Sequence, residues 1–174
     1  FFFTKLPRCG ILGKKREEYA MRIGLAYAME EEIASLLADT GAKHLETARG
    51  VSVYEIEPGI LAYAGGIGKV NAAMSAQYFI DRYQPDWIVN AGVAGSFHDL
   101  PIGTVVLAED FVQHDIDTSA VDGVLGLIPT LELTSLPTDQ PDRAGTILTG
   151  MNVAFERGRV ATGDVFMTKG DRAN

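Results

Sequence analysis

Residues 60–96 constrain this chain more than any other stretch, because they set out a strand, a glycine turn, a helix, a second strand and a second glycine turn in that order. Ile60–Ala64 is a short apolar run, followed by Gly65, Gly66, Ile67 and Gly68. From Lys69 to about Tyr83, Val70, Ala73, Met74, Tyr78 and Phe79 recur at helical spacing, with the Arg82 cation at the helix's negative end. Residues 86–90 form the second apolar run, and Gly92, Val93, Ala94 and Gly95 the second turn. A strand, helix and strand so joined predict a βαβ unit, and in an open α/β sheet the turns after its strands lie at the carboxyl ends, where ligands bind.

The flanking segments extend this pattern. Ile23, Leu25 and Tyr27, with small residues between them, predict a buried strand. Met29-Glu30-Glu31-Glu32 leads into a helix with Ile33, Leu36 and Leu37 at its apolar positions and Gly41 as its stop. Acidic residues in a first turn oppose the helix dipole, but three in a row at a strand-to-helix junction exceed what capping needs. Residues 51–57 and 60–64, joined at Pro58-Gly59, predict a hairpin. Residues 104–108 and 111–116 read as extended, and 153–162 as a weaker strand interrupted by Gly158. Pro129, Pro137 and Pro141 mark residues 117–146 as a long excursion with one short strand near 131–133, of the kind that walls a site or an interface. Residues 1–20 show no sustained period and lack an initiating Met, so they read as a disordered leader or an upstream-translated tail, with the domain beginning at Met21.

Charge and cysteine content narrow the partners. A net charge of -8, from 15 Lys+Arg against 23 Asp+Glu, repels nucleic-acid backbones and anionic membrane surfaces. No apolar run approaches the roughly 18 residues of a membrane span, and Cys9 is the single cysteine, which fits a reducing cytoplasm.

Spacing tests the nucleotide motifs. A P-loop places Gly where Tyr63 stands and Ser or Thr where Val70 follows Lys69. A dinucleotide fingerprint places Gly or Ala at Asn71. The Gly66–Gly68 turn satisfies neither, which leaves a tight structural turn or a backbone wall against a ligand. His114, Asp115 and Asp117 carry metal-ligand chemistry, but on an extended segment Asp115 and Asp117 share one face and His114 the other, so turn capping is the expectation there and for Asp164. No nucleophile motif accompanies His44 or His98.

Five segments in order, AMEEE at 28–32, GIGKVNAA at 66–73, NAGVAGSF at 90–97, VQHDIDTSA at 112–120 and ATGDVFM at 161–167, resemble the 5'-methylthioadenosine/S-adenosylhomocysteine nucleosidases of the nucleoside phosphorylase superfamily. The resemblance runs from Met21 to about Met167. It implies a three-layer α/β/α fold with a central mixed sheet, a homodimer, no metal or organic cofactor, and hydrolysis of the N-glycosidic bond of a small-molecule 5'-thioadenosine. A related nucleosidase such as futalosine hydrolase, and a non-catalytic nucleoside-binding protein, are the alternatives.

By motif match Glu32 activates water, Met29 and Ile67 flank the ribose and alkylthio group, and Val93, Ala94 and Gly95 line the floor. Phe166 matches the aromatic that stacks on adenine, and the Met167 backbone the group that reads the base edge. Val93 stands where some members carry Ser, so one hydrogen-bonding hydroxyl is missing. The family's leaving-group acid and its ribose-binding Glu follow the strand that ends near Met167, so the expectation is a C-terminally incomplete domain. Residues 87–90, WIVN, contain no cation to hold a phosphate dianion, which favours water over phosphate as nucleophile.

Overall fold

A computed structural model describes residues 2–5 and 21–167, which fall into two compact units, Phe1–Val93 and Ala94–Asn174. In the first unit six strands form one mixed sheet. They are β1 (Phe2–Lys5), β2 (Ile23–Tyr27), β3 (Lys43–Ala48), β4 (Val51–Glu57), β5 (Ile60–Ala64) and β6 (Trp87–Asn90), in the spatial order β1-β6-β2-β5-β4-β3. The helices are α1 (Glu30–Thr40) and α2 (Lys69–Tyr83).

Strand β2 is parallel to both β5 and β6, so the crossover through α2 passes over it and the two strands of the βαβ unit flank β2 without pairing. The β4–β5 hairpin forms as expected, with Gly59 at φ 91° in its turn, a conformation that favours glycine. Of the residues read as a leader, 2–5 form β1, antiparallel to β6, and the remainder lie outside the described residues.

The core of this unit gathers Ala26, Val51, Val53, Tyr63, Phe79 and Ile88. Phe79 is fully buried, stacked on Tyr63 at 4.5 Å between ring centroids. Burial pushes the Tyr63 phenol up to about 12, so it packs as a neutral ring. Gly65 abuts Ser75 of α2 closely, and any Cβ at 65 would strike the serine side chain. Only part of the apolar pattern of α2 turns inward. Phe79 is buried, and Tyr78 packs against the core from its edge. Val70, Ala73 and Met74 are exposed, because close approach of the helix to the sheet puts the small Ser75 on the inner face in their place.

The second unit holds β7 (Val105–Gln113), β8 (Leu136–Pro137) and β9 (Phe155–Thr162) in the order β8-β7-β9, with α3 (Ser119–Asp122) and α4 (Pro141–Gly150). Strand β9 is parallel to β7, and β8 is antiparallel to it. The stretch 117–146 is more structured than its prolines suggested. Pro141 occupies the first turn of α4, where its missing N–H costs nothing, and the short strand lies at 136–137, with only an isolated Ile128–Leu133 bridge near 131–133.

Among the described residues no helix is long and apolar enough to cross a membrane.

Candidate active site

In the first unit the parallel strands β2, β5 and β6 end on the same edge of the sheet, and the loops leaving them are tied together by backbone hydrogen bonds. Gly65 N–H donates to Tyr27 C=O at 3.0 Å and Gly66 N–H to Ala28 C=O at 2.8 Å, joining the first glycine turn to the start of α1. Ala91 N–H donates to Ala26 C=O at 3.1 Å, joining the second turn to β2. Met29 and Ile67 therefore lie on adjoining loops. Ile67 is 69% exposed and joins no core cluster.

The three glutamates of the MEEE run have separate fates. Glu30 Oε1 accepts the Tyr54 hydroxyl at 3.1 Å, and the Ser52 and Tyr54 hydroxyls hold its carboxyl below the usual carboxylate range. Glu31 is exposed on the first turn of the helix. Glu32 turns back over the helix N-terminus. Its Oε2 accepts the backbone N–H groups of Ala28 and Met29, each at 3.1 Å, and its Oε1 accepts the N–H of Val93 at 3.2 Å.

One carboxylate thus bridges the start of α1 and the turn after β6. Gly92 makes the approach feasible, since a Cβ there would stand 2.9 Å from Glu32 Oε1. An ionised carboxylate offers about four acceptor positions. Three are taken by N–H groups of described residues, and the remaining one, on Oε1, can receive a water proton. Nearby, burial and then the Glu32 charge raise the Tyr27 phenol, which stays neutral and can only donate or accept a hydrogen bond.

The other matched positions fall in the second unit. Ala94 and Gly95 are exposed, and no heavy atom stands within 4 Å of a Cβ added at Gly95, so this turn is an open backbone ledge. Phe166 is 91% exposed and Met167 half-buried, just beyond the end of β9. Of the His114–Asp117 stretch, the two aspartates serve turns. Asp117 Oδ1 accepts the Ser119 N–H at 3.0 Å and hydroxyl at 2.6 Å, and Asp115 Oδ2 accepts the Asp164 N–H at 2.7 Å. Among the described residues no group of three or more His, Cys, Asp or Glu is arranged to hold a metal ion.

Sequence reasoning missed Gly92 and the backbone donors of Ala28 and Met29. The glycine's place in the second turn was visible, but which side chain it admits was not.

Strands ending together over glycine turns, with a carboxylate held at their carboxyl edge, form the kind of ligand edge that open α/β sheets present at the carboxyl ends of their strands. The model of the phosphorylase superfamily matches residues 22–174. The 5'-methylthioadenosine/S-adenosylhomocysteine nucleosidase of Bacillus subtilis is 37% identical over 160 residues, covering 84% of this chain and 66% of the relative. That of Oceanobacillus iheyensis is 34% identical over 162 residues, covering 88% and 69%. Among solved structures, a Helicobacter pylori mutant of this nucleosidase with 5'-methylthioadenosine in its active site superimposes with a TM-score of 0.79 at 29% identity, covering 89% of this chain and 70% of that one. The futalosine hydrolase of the same species gives 0.79 at 28%, covering 88% and 69%.

The chain belongs to the phosphorylase superfamily and, within it, to the 5'-methylthioadenosine/S-adenosylhomocysteine nucleosidases, and its α/β fold with mixed sheets is the nucleoside phosphorylase-like one. It spans about two-thirds of the length of these curated relatives.

Proposed function

We propose that the protein cleaves the N-glycosidic bond of 5'-methylthioadenosine and S-adenosylhomocysteine with water, releasing adenine. The observation that carries this reading is the Glu32 carboxylate, oriented by three backbone N–H groups and left with one acceptor position on Oε1. In glycosidic cleavage through a ribosyl cation, a water molecule must be held on one face of the sugar and lose a proton as it adds. Glu32 takes that proton. Its orientation is set before substrate arrives, so little reorganisation accompanies the step.

Met29 and Ile67 flank the ribose and the alkylthio group, whose soft apolar surface suits their side chains. Val93, Ala94 and Gly95 supply the floor, Phe166 stacks on the purine, and the Met167 backbone reads its edge. The resemblance places after Met167 the acid that protonates the departing adenine and the carboxylate that holds the ribose hydroxyls. No metal or organic cofactor enters this scheme.

Assay of the product of the complete reading frame for adenine release from 5'-methylthioadenosine and S-adenosylhomocysteine tests the reading. Release from neither, with a folded protein, overturns it. The likeness to futalosine hydrolase favours one second reading, a nucleosidase acting on a larger 5' substituent, which the same assay with futalosine as substrate distinguishes.

We further propose that the protein acts as a homodimer in the cytoplasm. Val70 and Met74, 77% and 41% exposed and one turn apart on α2, form an apolar patch that a second copy would cover. Sedimentation should give a dimer for the parent and a shift toward monomer for Val70→Glu, and an unshifted dimer would move the interface elsewhere. Cys9 has no second cysteine among these 174 residues to pair with, which suits a reducing compartment.

A further inference from the structure

We propose that Asp115 is the positioning residue of the purine-binding segment, its carboxylate fixing the turn that presents Phe166 and Met167 and thereby setting substrate affinity. The inference rests on the nucleosidase reading above and adds a residue to which that reading gives no role.

The parallel pair β7 and β9 ends in register at Gln113 and Thr162, and one further backbone bond, from His114 N–H to Thr162 C=O at 3.0 Å, extends it. Beyond this point the strand ladder stops. Asp115 then substitutes a side-chain acceptor for the next backbone carbonyl, since its Oδ2 takes the Asp164 N–H at 2.7 Å. The chain between is pressed against the same two residues. A Cβ at Gly163 would lie 2.6 Å from His114 Cε1 and 2.9 Å from Asp115 Cγ, so only glycine passes without displacing them.

Past Asp164 the segment has little packing of its own, because Val165 is 62% exposed and Phe166 91% exposed. Where the ring of Phe166 stands is thus decided by the turn that precedes it. Asp117, two residues on, is committed to Ser119 and cannot replace Asp115 in this duty.

The test is steady-state kinetics with 5'-methylthioadenosine on the product of the complete reading frame, comparing the parent with Asp115→Ala, Asp115→Ser, Asp115→Asn and Phe166→Ala. Loss of one charge-assisted hydrogen bond at an exposed turn should raise KM by roughly tenfold in Asp115→Ala while kcat changes by less than about threefold. Asp115→Asn keeps an acceptor oxygen and should restore KM to within about threefold of the parent. In the double variant Asp115→Ala with Phe166→Ala, KM should rise no further than in Phe166→Ala alone, since both act through one ring. Asp115→Ser, polar but too short to reach, serves if the alanine variant does not fold. A purely structural role predicts fewer active molecules with unchanged KM. Unchanged KM in either the Ala or the Ser variant overturns the inference while leaving the nucleosidase reading standing, whereas a parent that releases no adenine overturns that reading itself.

Discussion

Replacing Glu32 by Gln separates two duties of this carboxylate, the base proposed above and the tether seen in its hydrogen bonds. The proposed base role is worth roughly a hundred- to ten-thousand-fold in rate, the usual range for a positioned proton acceptor. As a tether it accepts three N–H groups, two at Oε2 and one at Oε1. Glutamine has one carbonyl oxygen. Set in the Oε2 position, that oxygen keeps the Ala28 and Met29 donors and turns its NH2 toward the Val93 N–H, donor against donor. Flipped, it keeps Val93 and loses the other two.

The first orientation is therefore preferred, at a cost of one bond to a half-buried charged group, about 1–2 kcal/mol. For a chain of this size that corresponds to a lowering of Tm by roughly 2–8 °C. The assays are adenine release at saturating 5'-methylthioadenosine and thermal unfolding without ligand, on the same preparation. The expected result is a fall in kcat of at least about a hundredfold together with the modest drop in Tm. Turnover within tenfold of the parent would refute the base assignment. An unchanged Tm with lost turnover would refute the tether and leave the base.

Gly92→Ala places a methyl group 2.9 Å from Glu32 Oε1, so the carboxylate must move; kcat should fall by about a hundredfold, read in the adenine assay, while KM stays within a few-fold. Tyr83→Phe removes the 2.5 Å hydroxyl donor to Glu46, whose remaining partners are Tyr78 at 2.9 Å and Arg82 at 3.3 Å. Those hydroxyls, Tyr83 first, hold the Glu46 carboxyl below its ordinary 4.5, so the stabilisation is present above that value and is lost as pH falls through the depressed one. The variant should be about 1 kcal/mol less stable near neutrality, and the gap should close in acid, as urea midpoints across the two ranges would show. A gap that does not change with pH would detach Tyr83 from Glu46.

What the sequence made legible was periodic, and what it concealed was tertiary. Strands β2, β4 and β5 and helices α1 and α2 announced themselves by their apolar spacing, helped in α1 by Gly41, which ends it at φ 63°. Strand β3 did not. Its residues alternate only weakly and are mostly exposed, and it is held as a strand by pairing with β4 across a bulge between His44 and Glu46.

Helix α4 hid because its proline and polar residues resemble loop chemistry, although Pro141 is a first-turn proline. Strand β7 was seen as two extended pieces, and the break between them is a bulge between Ala108 and Asp110, where Asp110 pairs with Arg159. Within the site, the resemblance singled out Glu32 over Glu30 and Glu31 without a physical reason. The geometry supplies one, since of the three only Glu32 reaches both the helix start and the turn after β6.

The bond from Val93 to Glu32 spans 61 residues of sequence. Two distant segments of the chain thereby meet on one carboxylate, so a change at Gly92 or in the backbone around Ala28 and Met29 arrives at the same pair of oxygens. A chimera that joins residues 21–60 of one relative to 61–95 of another would therefore have to rebuild the seat of this carboxylate from two backbones that were not shaped together.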